Sequence, residues 1–207
     1  GDVAAVMCHA ERAEITQWLR SLSATADDEH AIRRKVVRAR GEHEAEEALT
    51  ALWEVEDPRE RIRLAEELAA AHPDDARITY ELAGTHDAAG EEDLAVALYE
   101  RALAAGLREP HRHRAQIQLA SSLRNLGRVQ AAASVIDDVA ARHPDSLGVA
   151  AFRALVQHDA GHPSQALADL LTAVVAASTD PDVARYRRAL TASASALHWS
   201  RCSRTLR

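Results

Sequence analysis

The fold is decided by the stretch from residue 76 to residue 109, which reads ARITYELAGTHDAAGEEDLAVALYERALAAGLRE. Small and apolar residues recur every three to four positions on both sides of Gly90, a pattern that predicts two amphipathic helices joined by a short turn. Ala83 lies at a crowded position of the first helix, and Ala95 and Tyr99 lie one turn apart on one face of the second. The stretch therefore predicts one helix-turn-helix unit.

The same pattern returns along the chain at a period of about 34 residues. The windows are 42–75, 76–109, 113–146 and 147–180, with 110–112 as a short insertion. The crowded position of the first helix is held by Leu49, Ala83, Ala120 and Ala154. The corresponding face of the second helix is held by Arg61, Ala95, Ala132 and Ala166, then by Ala65, Tyr99, Ile136 and Leu170, then by Leu68, Ala102, Val139 and Ala173. Each unit can thus pack on the next.

The turn inside each unit has its own column, which reads Glu56, Gly90, Gly127 and Gly161. Glycine suits a helix end that requires a positive φ angle. The first window departs from the pattern, because Asp57-Pro58 replaces the glycine turn and Arg61 occupies a small position. We therefore describe 42–75 as a degenerate repeat.

Proline marks the ends of two windows, in His72-Pro73-Asp74-Asp75 and His143-Pro144-Asp145-Ser146. Proline stops the outgoing helix, and an acid or hydroxyl can cap the next one.

Both flanks of the repeats are predicted to be helical caps, since a repeat array needs a polar outer face at each end. Residues 1–41 are expected to form a hairpin that carries the basic cluster Arg33, Arg34, Lys35, Arg38 and Arg40. That cluster is either a solvated helix face with intrahelical ion pairs or a docking patch for an acidic partner or nucleic acid. Residues 181–207 are expected to form a capping helix and basic tail, and the side chains predicted to face the last repeat are Val183, Tyr186, Leu190, Ala194 and Leu197.

The stretch from about Tyr80 to Leu197 also resembles a family of bacterial, mostly actinobacterial, tetratricopeptide-repeat (TPR) proteins. The matching segments are ELAGTHDAAGEEDLAVALYERALAAGL, QLASSLRNLGR, ALVQHDAGHPSQALADLL and DPDVARYRRAL. The resemblance implies no known reaction or ligand. Together with the period, it predicts an all-α fold: a right-handed α-α superhelical solenoid over 42–180, with repeats 42–75, 76–112, 113–146 and 147–180.

Composition agrees with packed helices, because 47% of the residues are hydrophobic while only 3% are aromatic, and alanine dominates the apolar fraction. The formal charge of −7 disfavours a dedicated nucleic-acid binder. No apolar run approaches the roughly 20 residues that span a bilayer. Cys8 and Cys202 lie near opposite ends of the sequence, which fits a reducing compartment, so we expect a bacterial cytoplasmic protein without a membrane partner.

A partner site is expected on the first helices, which line the concave surface of such a solenoid. The candidate residues are Arg77, Tyr80, Asp87, Arg114, Ile117, Ser121, Arg124, Asn125, Leu155 and His158. Three arginines among them could grip a carboxylate of an acidic or C-terminal peptide. The alternative is that these arginines pair with Glu81, Asp87 or Asp159 within the fold.

Metal binding and catalysis find little support in the sequence. His111 and His113 lack a cysteine or carboxylate set, and the pair His158 and His162 is interrupted by Gly161. No nucleophile stands in an evident relation to a histidine. We therefore expect no cofactor, no metal and no enzyme activity, but an interaction scaffold for a protein or peptide. The alternatives are a structural protein that self-associates into a homo-oligomer through acidic and basic surfaces, and a regulatory ligand-binding domain.

Overall fold

A computed structural model describes residues 42–202, and it contains nine helices and no strand over that range. The helices are α1 Glu42–Leu52, α2 Pro58–Ala71, α3 Ala76–Ala88, α4 Glu92–Ala104, α5 His111–Asn125, α6 Val129–Arg142, α7 Leu147–Asp159, α8 Pro163–Ala177 and α9 Pro181–Cys202. Each predicted window corresponds to one pair of helices, which confirms the all-α fold of helix-turn-helix repeats. The expected insertion at 110–112 is wrong in part, because α5 begins at His111, two residues before its window. The predicted N-terminal hairpin with its basic cluster, and residues 203–207, lie outside the described residues. No helix within 42–202 is long and apolar enough to cross a membrane.

The glycine turns end three helices as predicted. Gly90, Gly127 and Gly161 have φ angles of 79°, 72° and 84°, in the left-handed region that glycine adopts without steric penalty. At Gly127 the N–H donates to the carbonyl of Arg124 at 2.9 Å, and the next N–H donates to the carbonyl of Leu123 at 2.8 Å. These two bonds satisfy carbonyls that the helix end would otherwise leave unpaired.

The proline-marked boundaries are also confirmed. α2 ends at Ala71 and α6 ends at Arg142, each two residues before the proline. The Asp75 carboxylate accepts from the backbone N–H of Arg77 at 2.8 Å and so begins α3. Ser146 Oγ accepts from the N–H of Val149 at 3.3 Å and begins α7. Local chemistry therefore sets where each of these helices starts and stops.

The described residues divide into two compact units, whose boundary falls inside α5 between residues 115 and 116. In the first unit, α1, α2 and α3 enclose an aliphatic core in which Leu52, Leu64 and Ile78 are at most 2% exposed. α4 packs against α3 and buries Tyr99 completely.

The degenerate repeat keeps its helical pair through Arg61. The Arg61 guanidinium donates to the carbonyl of Val55, from Nε at 3.1 Å, and lies over the Trp53 ring at 5.2 Å. The guanidinium thus satisfies a backbone carbonyl beyond the end of α1 and lies on the face of an aromatic ring. Asp57 caps α2 in place of the missing glycine turn, accepting from the N–H of Arg59 at 3.1 Å.

In the second unit, α7 packs against α6 and α8, and α9 packs against α8. Its buried aliphatic side chains include Ile136, Val139, Val149, Val156 and Ala166. Ala194 of α9 is 3% exposed, in line with the prediction for the capping helix, and Val183, Leu190 and Leu197 are half-buried.

The prediction that Tyr186 faces the last repeat is wrong, because its side chain is 57% exposed. Tyr186 lies to one side of the buried line of α9. Its neighbour Arg187 is exposed as well, although its guanidinium donates to the carbonyl of Val175 near the end of α8. At position 186 the helical register therefore places the ring at the edge of the interface, where it remains in contact with water.

Candidate partner-binding site

The ten predicted site residues all lie on α3, α5 and α7, the first helices of the last three repeats. The structure divides them between the two units. Those in the first unit are Arg77, Tyr80, Asp87 and Arg114, and those in the second are Ile117, Ser121, Arg124, Asn125, Leu155 and His158.

Arg77 is engaged by carboxylates of its own unit. It pairs with Glu81 one turn along α3, and its Nη2 lies 3.6 Å from Glu46 of α1. The Glu81 side chain is only 5% exposed and also accepts from Trp53 Nε1 at 2.6 Å. The buried carboxylate thus holds the end of α1 against α3, and Arg77 belongs to that network, as the structural alternative expected.

Tyr80 and Asp87 support the interior of the first unit. Tyr80 is 2% exposed, and its ring centroid lies 6.1 Å from that of Tyr99 and 5.7 Å from that of His111. The Tyr99 hydroxyl donates to Asp87 Oδ2 at 3.3 Å. Tyr80 therefore belongs to the layer beneath the surface, whereas Asp87 is half-buried and is engaged by the Tyr99 hydroxyl.

A cleft of about 420 Å³ opens in the first unit, which we call the first-unit cleft. It is lined by Glu46, Asp74, Asp75, Ala76, Arg77, Gly106, Leu107, Arg108 and His111. Three first helices contribute, α1 through Glu46, α3 through Arg77 and α5 through His111. Sequence reasoning placed only Arg77 at a site, because the other side chains come from turns and from helices distant in sequence.

Electrostatics in the first-unit cleft are mixed. Burial lowers the pKa of His111, and the nearby Arg77 charge lowers it further, so the ring stays neutral at pH 7. Arg108 and Asp74 are exposed, and neither side chain makes a hydrogen bond or ion pair within the described residues. Arg114, one turn beyond His111 on α5, is likewise exposed and unpaired within 42–202. The cleft therefore offers charges of both signs at its edge.

In the second unit, Arg124 bridges two first helices. Its Nη1 donates to Asp159 Oδ2 of α7 at 2.9 Å, and its Nη2 donates to Asn125 Oδ1 at 2.9 Å. A hydrogen bond from His158 lowers the pKa of Asp159, and the Arg124 pair lowers it further. Arg124 is thus also engaged within the fold, as the structural alternative expected.

The other predicted residues of the second unit separate by exposure. Ile117 and Ser121 are 9% and 8% exposed, whereas Leu155 is 37% exposed. Leu147, two turns before Leu155 on the same face of α7, is 40% exposed. The His158 imidazole extends this surface and is 68% exposed. α7 therefore presents an apolar stripe that ends in an imidazole.

A second cleft, of about 400 Å³, lies among α6, α7, α8 and α9, and it was not predicted. Asp169 lines it, accepts hydrogen bonds from three side chains and lies close to a fourth, His198. Oδ2 faces Arg153 Nη1 at 3.1 Å and Gln157 Nε2 at 3.0 Å, while Oδ1 faces Gln165 Nε2 at 2.9 Å and His198 Nε2 at 3.4 Å. This carboxylate has its acceptor positions filled, so its role is to join α7, α8 and α9.

Comparison with solved structures places the fold among MamA proteins. The crystal structure of MamA protein is 16% identical, with a TM-score of 0.59 over 80% of this chain and 89% of that one. The MamA RS-1 ArsTM double mutant is 16% identical, with a TM-score of 0.55 over 80% of this chain and 99% of that one. MamA MSR-1 is 21% identical, with a TM-score of 0.51 over 69% of this chain and 92% of that one. At these identities the likeness shows the fold alone.

No curated protein matches the chain. The family model described as Tetratrico peptide repeat matches residues 76–197, which is more than half of the chain. The matched range includes the three repeats that have a glycine turn, at 76–109, 113–146 and 147–180, and most of α9. The chain therefore belongs to the tetratricopeptide-repeat family, and its fold is an all-α solenoid of helix-turn-helix repeats.

Proposed function

We propose that this chain is a non-catalytic interaction module of the bacterial cytoplasm that binds a polypeptide segment of a partner protein on the first helices of its repeats. Family and fold support a role in protein interaction, since stacked helical repeats present extended binding surfaces. The observation that carries the finer proposal is the first-unit cleft, where Glu46, Arg77 and His111 converge from three first helices.

The arginines differ in what they can offer a partner. Arg77 is paired with Glu81, and Arg124 is paired with Asp159, so a ligand would have to compete with an existing carboxylate at either position. Arg108 at the cleft and Arg114 just beyond it have no such pair within the described residues. A contact with a ligand carboxylate therefore rests first on Arg108 and Arg114, with Arg77 as a further lining residue of the first-unit cleft.

Charge also limits the kind of segment. Residues 42–115 contain 19 Asp and Glu against 8 Arg, so the first unit has a formal charge of 8 − 19 = −11. A polyacidic segment would be repelled by this field. A segment with a single carboxylate, such as the C-terminal end of a polypeptide, can pair with Arg108 or Arg114 while Asp74 takes a neighbouring amide or cation.

The test begins with affinity capture from a bacterial lysate, using the wild-type protein and the Arg108→Ala/Arg114→Ala variant. Arg59→Ala/Arg101→Ala is the matched control, because it also removes two exposed arginines of the same unit, from the second helices α2 and α4. A synthetic peptide from the captured partner is then titrated with a free and with an amidated C-terminus. We expect roughly tenfold weaker binding for the double variant, from the loss of one charge-assisted contact of about 1.5 kcal/mol.

The control should bind as the wild type does, and amidation should weaken binding to the wild type much more than to the double variant. Equal affinity of the wild type and the Arg108→Ala/Arg114→Ala variant for the captured peptide would remove the cleft from the function.

A further inference from the structure

The outer face of α9 is uncovered in the part of the chain that the structure describes. Val183, Leu190 and Ala194 form the line that packs on α8. The opposite line at helical spacing consists of Arg185, Arg188, Ala192 and Ala196, all of them exposed. The first half of this face is therefore basic. The second half carries only small side chains, so another helix can approach it closely.

The charges of the two units are strongly unequal. Residues 116–202 contain 8 Arg against 7 Asp, a formal charge of 8 − 7 = +1, whereas the first unit carries −11. α9 alone holds four of those eight arginines, two of which are Arg185 and Arg188, and only one acid, Asp182. The most basic surface described in the second unit is therefore also an uncovered helix face.

We propose that this face of α9 is a self-association surface that receives the acidic first unit of a second copy of the protein. Charge complementarity selects this occupant, because a second α9 contains only one acid, Asp182, whereas the first unit brings a large excess of carboxylates. The contact is heterologous, since each copy offers a different surface to its neighbour. This inference does not depend on the first-unit cleft having a peptide ligand.

The size of the surface predicts weak association. A helix of 22 residues is about 33 Å long. One face of such a helix, about 10 Å wide, offers roughly 330 Å², less than half of the roughly 800 Å² that each partner buries in a stable interface. We therefore expect dissociation constants in the range of tens to hundreds of micromolar at low salt, with strong dependence on ionic strength.

The experiment measures weight-average mass by sedimentation or light scattering, from about 10 to 300 μM, in about 20 mM and about 500 mM salt. Three proteins are compared: the wild type, Arg185→Glu/Arg188→Glu, and Arg128→Glu/Arg142→Glu. The last variant changes the net charge equally but away from α9, on the turn before α6 and on α6 itself. All four arginines are exposed, so both double variants are expected to fold. Circular dichroism verifies this before the masses are compared.

We expect the wild type and the α6 control to associate at low salt and to dissociate at high salt. The α9 variant should associate at least about tenfold more weakly, since two surface ion pairs are reversed. A wild-type protein that stays monomeric at 300 μM, an association that salt strengthens, or an equal loss in both double variants would overturn the proposal.

A crosslink identifies the surface that is bound. A photoreactive phenylalanine analogue at position 192 is activated in a mixture of isotopically light and heavy protein, so that intermolecular products are recognised by mass. Crosslinks should fall within residues 42–115 of the other copy. Crosslinks confined to α9 of the other copy, or their absence at associating concentrations, would overturn the assignment, as would association driven only by added nucleic acid.

Discussion

Replacing Asp169 by alanine should destabilise the second unit more than replacing any other exposed or half-exposed acid in it. The carboxylate accepts from Arg153 and Gln157 of α7 and from Gln165 of α8, and its Oδ1 lies 3.4 Å from Nε2 of His198 in α9. Its removal leaves those donors without their shared acceptor and separates three helices at one point.

The magnitude follows from these contacts. Three of the four lie at 3.1 Å or less, and the Asp169 side chain is 25% exposed, so water can replace part of what is lost. Hydrogen bonds to a charged group contribute about 1.5–3 kcal/mol when fully buried. After a discount for exposure and for the sharing of one acceptor, we expect a loss of about 2–3 kcal/mol for Asp169→Ala. Asp169→Asn, which keeps the shape but loses the charge, should cost about half of that.

The assay is urea unfolding followed by circular dichroism, with hydrogen exchange to locate the effect. Protection should fall in α7, α8 and α9 and stay unchanged in α1–α4. Asp138→Ala is the control, because Asp138 is an exposed acid that pairs within its own helix with Arg142, a contact of about 0.5 kcal/mol or less. If Asp169→Ala and Asp138→Ala shift the midpoint equally, the carboxylate does not join the three helices and the reasoning fails.

Gly127→Ala should cost about 1 kcal/mol through its left-handed backbone, whereas the helical Gly148→Ala should be neutral or stabilising, as urea midpoints would reveal. Trp53→Phe should cost about 1–2 kcal/mol, because it removes the indole donor from the buried Glu81 carboxylate; an unchanged midpoint would contradict that role. Because burial lowers the pKa of His111 in the folded state, the unfolded state binds more protons below its pKa of about 6.5. Stability from this group is therefore full above that pH and declines as pH falls; His111→Phe should flatten the difference between midpoints at pH 7.5 and 5.5.

The fold could be predicted because its signals are local. Gly127 and Gly161 end helices through backbone angles that glycine supplies by itself, and Asp75 and Ser146 begin helices through bonds to N–H groups two or three residues away. A period of small residues then implies that successive helix pairs stack. Each of these relations is readable within one or two turns of the chain.

The candidate site could be predicted only in part. That Arg77 and Arg124 lie on first helices followed from the repeat register, but whether each arginine meets a ligand or an internal carboxylate did not. Arg124 meets Asp159 across 35 residues of sequence, and Trp53 meets Glu81 across 28. Charge counts cannot distinguish these outcomes, because the sequence does not show whether an arginine is exposed or paired with a carboxylate.

The sequence by itself determined the helices, their ends and their repeating order, since these depend on bonds between neighbours along the chain. Only the tertiary structure decided which polar side chains are paired within the fold and which are left to contact a partner. Packing brought Asp169 against three hydrogen-bond donors, left Tyr186 exposed, and left the outer face of α9 uncovered. The physical reason is that the free energy of a polar side group depends on the partners and the water around it, and those are set by helices that are distant in sequence.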